Sequence, residues 1–173
     1  MTSLKTTRLL GTAAICCVAT LLGPPGLRAQ EPVDHSLMVL AGPSPYDLAG
    51  TGTGTAAGAE YGWHYRGMLH GGVSLNGFTY RSQAGRRIIQ LFPEFTARIL
   101  LTKHELRPFV GGGYGVSVTA RGPSGLTWTL HAVLGFDAMI APGWLARAEA
   151  RLRSVKPWTG ETVDLRVGIG RRW

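Results

Sequence analysis

The sequence predicts an all-β fold. Residues 30–173 read as an eight-stranded antiparallel up-and-down transmembrane β-barrel, preceded by a cleavable signal peptide over residues 1–29. Three observations carry this reading. The first is the stretch Thr162–Trp173, where Val163, Leu165, Val167 and Ile169 alternate with Asp164, Arg166, Gly168, Gly170 and Arg172 before the chain ends on an aromatic. A side-chain period of two is that of a β-strand, here with one apolar face and one charged or small face. The second is that seven upstream stretches repeat the pattern between Gly-, Pro- and Ser-containing turns. The third is the content of the polar faces, which hold Gly, Ser, Thr and single charges of both signs.

The N-terminus carries the export signal. Lys5 and Arg8 precede the apolar run Leu9–Leu22, and Gly23-Pro-Pro-Gly26 and Leu27-Arg-Ala29 follow. A basic start, a short apolar run and a small residue before a polar stretch make a secretory signal, with cleavage placed after Ala29. Cys16 and Cys17 both lie inside it, preceded by Ile15 and Cys16 where acylation needs a small residue. The exported chain would therefore carry no disulfide, thiol or lipid anchor. Losing Lys5, Arg8 and Arg28 lowers the formal charge from +8 to +5. A basic excess suits nucleic acid in general, but export makes lipid phosphates and lipopolysaccharide the natural anionic neighbours. No later apolar run approaches the ~18 residues of a transmembrane helix.

The strands follow in order. Ser36–Ala41 comes first, broken by the two prolines of Gly42–Thr51, since proline removes a ladder donor. Gly52–His64 sets Ala57, Ala59, Tyr61 and Trp63 against Gly58, Glu60, Gly62 and His64. After a turn at Tyr65-Arg-Gly67, Met68–Arg81 sets Leu69, Val73 and Leu75 against His70, Ser74 and Asn76. Ile88–Leu101 sets Ile89, Leu91, Phe95, Ala97, Ile99 and Leu101 against Gln90, Glu94, Thr96 and Arg98. Leu106–Ala120 carries Val110, Tyr114, Val116 and Val118 opposite a run of glycines. Leu126–Ile140, Trp144–Arg153 and the closing strand complete the set. Strands of roughly ten residues suit a tilted membrane crossing. Connections after the second, fourth and sixth strands are short, and the others mostly longer, as periplasmic turns and outer loops alternate in such barrels.

Alternation alone fits a soluble barrel equally well, so the faces decide. Glu60, Glu94, Arg98, Asp137, Arg147, Glu149, Arg151, Asp164 and Arg166 would share one lumen, five acids against four arginines. An eight-stranded barrel is barely wide enough for side chains, so these residues are expected to form a salt-bridged plug. An ion path is the alternative use of the same residues. Beyond residue 29 the only lysines are Lys103 and Lys156, both near turns, unlike a water-facing surface. Tyr61, Trp63, Tyr114, Trp128, Trp144, Trp158 and Trp173 fall mostly near strand ends, as interfacial aromatic girdles do.

Two stretches carry a family resemblance. Leu106-Arg-Pro-Phe-Val-Gly-Gly-Gly-Tyr-Gly-Val-Ser-Val118 resembles a strand of the small OmpA/OmpX-like outer-membrane β-barrel domains. Val167-Gly-Ile-Gly-Arg-Arg-Trp173 resembles their closing strand with its terminal aromatic, usually Phe and here Trp. The resemblance implies a bacterial outer-membrane location and insertion by the barrel-assembly machinery, which would read Val167, Ile169 and Trp173. It implies both termini in the periplasm.

Catalytic and cofactor chemistry finds little support. His131 and Asp137 share a face but lie about 20 Å apart along a strand. Ser117 approaches His131 from the next strand, but both point inward, whereas lipid A deacylases place such a pair on an outward face. His64 and His70 face each other across a turn, and a metal needs more ligands. Gly111-Gly-Gly-Tyr-Gly115 has no strand–helix context for a dinucleotide, and no cofactor is expected. The sequence therefore points to a non-enzymatic outer-membrane protein, structural or meeting outside ligands through short loops. Arg81, Arg86, Arg87 and Arg121 near the outer rim would suit lipid phosphates, and equally fit ordinary solvated loop arginines. Two other readings share the pattern: a soluble, lipocalin-like periplasmic barrel with Ile89, Leu91 and Phe95 turned inward, and a lipid A-modifying enzyme. Deleting Trp173, or replacing it with Asp, should lower the membrane level of folded protein; normal levels in a fractionated envelope would show that this residue is no assembly signal.

Overall fold

A sheet with one apolar face must bury or solvate that face in lipid, and its two edges must be paired; closing the sheet on itself meets the second need. The computed structural model describes residues 34–46, 52–65, 68–122, 125–155 and 161–173. The expected signal peptide, its cleavage point and Trp158 lie outside these residues. Eight strands are present: β1 (Asp34–Tyr46), β2 (Gly52–Tyr65), β3 (Leu69–Arg81), β4 (Arg87–Leu100), β5 (Leu106–Arg121), β6 (Leu126–Ala141), β7 (Trp144–Val155) and β8 (Glu161–Arg172). Each pairs antiparallel with the next, and β1 pairs antiparallel with β8 to close the barrel.

The strands run 12 to 16 residues, with bounds within two residues of those read from the sequence except in β1. The 16 residues of β5 and β6 measure about 50 Å at about 3.3 Å each. Tilted by about 40°, such strands rise roughly 40 Å, beyond an apolar band of about 25 Å. The clearest departure is β1, which does not end at Ala41 but runs through Pro43 and Pro45 to Tyr46. Pairing with β2 continues at Pro43↔Thr55 and Pro45↔Thr53. Pairing with β8 lapses between Ala41↔Val167 and Tyr46↔Thr162. The two prolines share a parity, so both missing donors fall on the side where no ladder bond is made. Pro93 sits in a similar lapse of the β4–β5 ladder, between Leu91↔Val118 and Glu94↔Gly115.

One rim carries the start of β1 and the ends of β2, β4, β6 and β8; the opposite rim carries the ends of β1, β3, β5 and β7. The extension of β1 to Tyr46 shortens the first of the expected longer connections. The tightest connection, β6 to β7, is Pro142-Gly143, with Gly143 at φ 74. Proline followed by a residue of positive φ is the requirement of a type II turn, which only glycine meets without strain.

The burial pattern is inverted relative to a water-soluble protein. Along β8, Val167 is 68% exposed and its neighbour Arg166 is 1% exposed. Leu37, Val39, Leu75, Ile99, Leu134 and Leu165 likewise face out. Phe95 packs outside between Trp63 and Tyr114, so the Ile89–Leu91–Phe95 face does not turn inward as a lipocalin-like barrel would need. The interior is also not uniformly polar. Toward the rim with residues 47–51, Tyr46, Ala56, Phe78, Tyr80, Phe92 and Val155 form one apolar cluster. Toward the other rim lie Met38, Leu40 and Leu145, and separately Leu100, Phe109 and Val133. The charged residues begin next to the first cluster and interleave with the other two: Met38 pairs with Glu60, Val133 pairs with Arg151, and Asp137 lies nearer the end of β6 than Val133.

Candidate functional site

The charged interior is built outward from β7, whose successive inward positions are Arg147, Glu149, Arg151 and Arg153. A period of two places all four in one column, facing the carboxylates and arginines of β2, β4, β6 and β8. At one end, Arg147 holds Asp137 in a two-pronged contact, Nε to Oδ1 at 2.6 Å and Nη2 to Oδ2 at 2.9 Å. The same guanidinium donates through Nη1 to Glu60 at 2.7 Å. Arg98 donates to both oxygens of Glu60, at 2.6 and 2.5 Å. Glu149 accepts from Arg166, with Arg151 and Arg98 at 3.3 and 3.5 Å. Glu94 accepts from Arg151 and Arg153, each at 2.6 Å, and from Asn76 at 2.7 Å. Asn76 also accepts from Arg166. At the far end Arg153 reaches Asp164 at 2.7 Å, and Ser44 donates to the same carboxylate.

The contacts form one continuous network. It contains all nine charged residues singled out in the sequence, each at most 5% exposed. It also contains Arg153, which lies on the same face by parity but is absent from the sequence-derived cluster. Arg153 changes the balance. With it, Glu60, Glu94, Asp137, Glu149 and Asp164 meet Arg98, Arg147, Arg151, Arg153 and Arg166, five against five. Desolvating a charge is costly unless a partner and further hydrogen bonds replace the lost water, so a balanced, multiply bonded set is the arrangement that survives burial. Aromatic rings add to the stabilisation of the cations. Arg153 lies 4.4 Å from the Phe92 centroid, and Arg98 and Arg147 lie 5.4 and 5.2 Å from that of Phe109.

Glycines make the room. On β5, Gly111, Gly113 and Gly115 pair with Arg98, Thr96 and Glu94 of β4. A Cβ on Gly113 would fall 1.9 Å from the Phe95 carbonyl oxygen and 2.9 Å from the His131 ring. The glycine run is a packing requirement of the large neighbours. His131 contacts Thr96 Oγ1 through Nε2 at 3.0 Å, and its Nδ1 lies 3.6 Å from Glu94. His64 and His70 pack edge to face with centroids 4.5 Å apart, and Arg98 contacts His70 Nδ1 at 3.1 Å. Among the described residues no group of three or more His, Cys, Asp or Glu is placed to hold a metal.

The outward residues singled out in the sequence fall into separate groups. Trp173 exchanges backbone hydrogen bonds with His35, at 2.9 and 3.0 Å, and its ring lies 6.5 Å from those of His35 and Tyr61. Tyr61 Oη meets His35 Nδ1 at 2.8 Å. Val167 and Ile169 are exposed on the outer face of the same strand. Trp63 and Trp144 lie near the rim that carries Trp173, and Trp128 near the opposite one. Tyr114 differs from the others, standing mid-strand in β5 against Phe95.

No family model matches the chain, and no curated protein matches it in sequence. Solved structures do match. Neisserial surface protein A aligns at 15% identity and TM-score 0.66, over 82% of this chain and 99% of the other. Ail of Yersinia pestis, solved in complex with the heparin analogue sucrose octasulfate, aligns at 14% identity and TM-score 0.57, over 83% and 100%. The outer membrane protein OprG from Pseudomonas aeruginosa aligns at 13% identity and TM-score 0.55, over 86% and 99%.

The fold is that of the small eight-stranded outer-membrane β-barrels. In an outer-membrane barrel of this size the lumen is the only space enclosed, and here arginines, carboxylates and rings fill it. Glu94→Gln leaves Arg151 and Arg153 buried without their shared carboxylate, at an expected cost of about 3–5 kcal/mol. The double variant Glu94→Gln with Arg153→Gln restores equal numbers of charges and should cost less than the single one. The midpoint of heat- or urea-driven loss of the compact gel form measures both, and a single variant as stable as the parent would show that the network is not tightly coupled.

Proposed function

We propose that the chain is a non-enzymatic protein of the bacterial outer membrane. Its charge-plugged barrel would serve a structural role or a small surface-interaction role in a Gram-negative envelope. The observation that carries this is the combination of an apolar outer face with a balanced ion-pair interior. The first feature suits lipid and the second fills the lumen. Residues 1–29 would export the chain, and the barrel-assembly machinery would insert it by reading the last strand with Val167, Ile169 and Trp173. The rim bearing both strand ends would then face the periplasm, and the rim with residues 47–51, 82–86, 122–125 and 156–160 would face outside.

Outer-membrane lipid and lipopolysaccharide are the partners this placement makes constant, and outside ligands would meet only the short connections. The complex of Ail with a sulfated sugar makes anionic glycans the class of loop ligand to try first. A lipocalin-like role needs an apolar cavity where this barrel holds arginines and carboxylates. A lipid A-modifying role needs an outward catalytic set, whereas Ser117 and His131 lie inside.

Expressed as the full chain, the protein should fractionate with the outer membrane and migrate faster on a gel before boiling than after. A soluble periplasmic protein without that shift would overturn the proposal. Purified barrel in planar bilayers should produce no steady ion conductance; regular conductance steps would make the charged interior a path instead of a plug.

A further inference from the structure

Three histidines are buried in the lumen, and the five acids and five arginines of the network balance without them. His131 contacts Thr96 through Nε2 and turns Nδ1 toward Glu94, so neither ring nitrogen touches an arginine. His64 and His70 are placed differently. They are direct cross-strand partners, 3% and 2% exposed, each one residue inside its strand end at the rim where β8 ends.

The pair joins the network through a single nitrogen. Arg98 Nη1 donates to Glu60 Oε1 at 2.6 Å and to His70 Nδ1 at 3.1 Å. A guanidinium has only donors, so His70 Nδ1 must present its lone pair, and the proton of the neutral ring sits on Nε2. That Nε2 has no hydrogen-bond partner, and Glu60 Oε1 lies 4.0 Å from it. Ser36 Oγ and His64 Nδ1 at the same end are likewise buried without partners. Glycines give this end its room. Gly62 and Gly72 stand directly opposite each other; a Cβ on Gly62 would collide with His70 and Ser36, and one on Gly72 would lie 3.2 Å from the Glu60 carboxyl carbon.

A second proton on His70 has to go to Nδ1, the atom that Arg98 occupies. The contact then joins two cations, and Nη1 can no longer serve both the ring and Glu60. No free carboxylate waits to receive the new charge. The groups facing the two rings are Asp34 and Ser36 on β1, Glu60 on β2, Arg98 on β4, Asp137 on β6, Arg147 on β7 and Arg172 on β8, with Arg107 of β5 opposite Asp137. Glu60 is held by Arg98 and Arg147, Asp137 by Arg147, and Asp34 by Arg172. A buried charge without a partner is costly, so the imidazolium must displace Arg98 from Glu60 or leave the lumen.

We propose that His70, with His64 beside it, is an acid-sensitive latch at this end of the barrel. A neutral ring keeps Arg98 on Glu60; a protonated ring releases it and loosens the end of β2 and the start of β3. The compartment that this rim faces sets the latch, and on the outer-membrane reading above that compartment is the periplasm. The closed arrangement excludes a proton that the released ring takes up near pH 6.5, so closure is full above that value and is lost as pH falls through it. Between pH 7.5 and 5.0, exclusion of one such proton lowers the closed-to-open ratio by up to about thirtyfold. Ordinary carboxylates titrate near pH 4, below this interval.

The test is amide hydrogen exchange on the folded full-length protein in nanodiscs of neutral phospholipid, at pH 7.5 and 5.0, corrected for the pH dependence of free amides. Protection at Gly62–Tyr65 and Leu69–Gly72 should fall by about tenfold or more at pH 5.0, while β5 to β7 change by less than about threefold. His70→Gln keeps an oxygen that can accept from Arg98 and takes no proton, so it should remove the fall. His131→Gln should leave the fall intact. A folded parent whose protection does not depend on pH would overturn the latch, as would a fall that survives His70→Gln or vanishes in His131→Gln. If His70→Gln does not fold, the parent decides by place: a loss confined to the ends of β2 and β3 supports the latch, and one spread evenly over all strands overturns it. A parent that shows the local fall but does not fractionate with the outer membrane would sink the outer-membrane reading and leave the latch standing.

Discussion

The structure depends on one constraint: charges enclosed in a narrow barrel must cancel within it. Eight strands leave room for side chains and little else, so any ionised group inside has to find its partner among the other strands. The β7 column of Arg147, Glu149, Arg151 and Arg153 sets the problem, and one residue each on β2 and β6 and two each on β4 and β8 answer it. Each carboxylate receives more than one donor, and most arginines span two acids. The network therefore ties non-adjacent strands across the lumen, in addition to the ladder bonds that tie neighbours.

That constraint explains features that otherwise look unrelated. The glycine run on β5 exists because Arg98, Glu94 and His131 need the space. Phe92 and Phe109 stand beside guanidiniums because a ring face stabilises a cation where water is excluded. Buried apolar side chains beside the pairs, such as Met38 and Val133, lower the local dielectric, which strengthens them. Outside, the same alternation that sends charge inward sends Leu, Val, Ile and Trp outward, so a single period produces both surfaces. The rim arginines are the exception, and they occur where the apolar wall ends.

Much of this was legible in the chain. Strand number, order and facing followed from the period of two, and the nine charged residues followed from parity alone. Other features were not. Proline in Pro43 and Pro45 argued for a break after Ala41, because sequence cannot tell which neighbour a missing donor would have faced. Arg153 shares the parity of Arg147, Glu149 and Arg151, but its place in the network follows only from its reach to Glu94 and Asp164 on other strands. Tyr46, Phe78, Tyr80 and Phe92 have inward parity, but an aromatic in a polar-facing position reads from sequence as noise until its neighbours across the barrel are known.

The division has a physical reason. Side-chain direction along a strand is a local property, so the sequence by itself determined that eight two-faced strands exist and which residues share a face. Partner choice is not local. Asp137 meets Arg147 and Arg153 meets both Glu94 and Asp164 only after register, closure and stagger bring distant strands to one level of the lumen. Only the tertiary structure decided that the charges balance five against five and which apolar side chains pack among them.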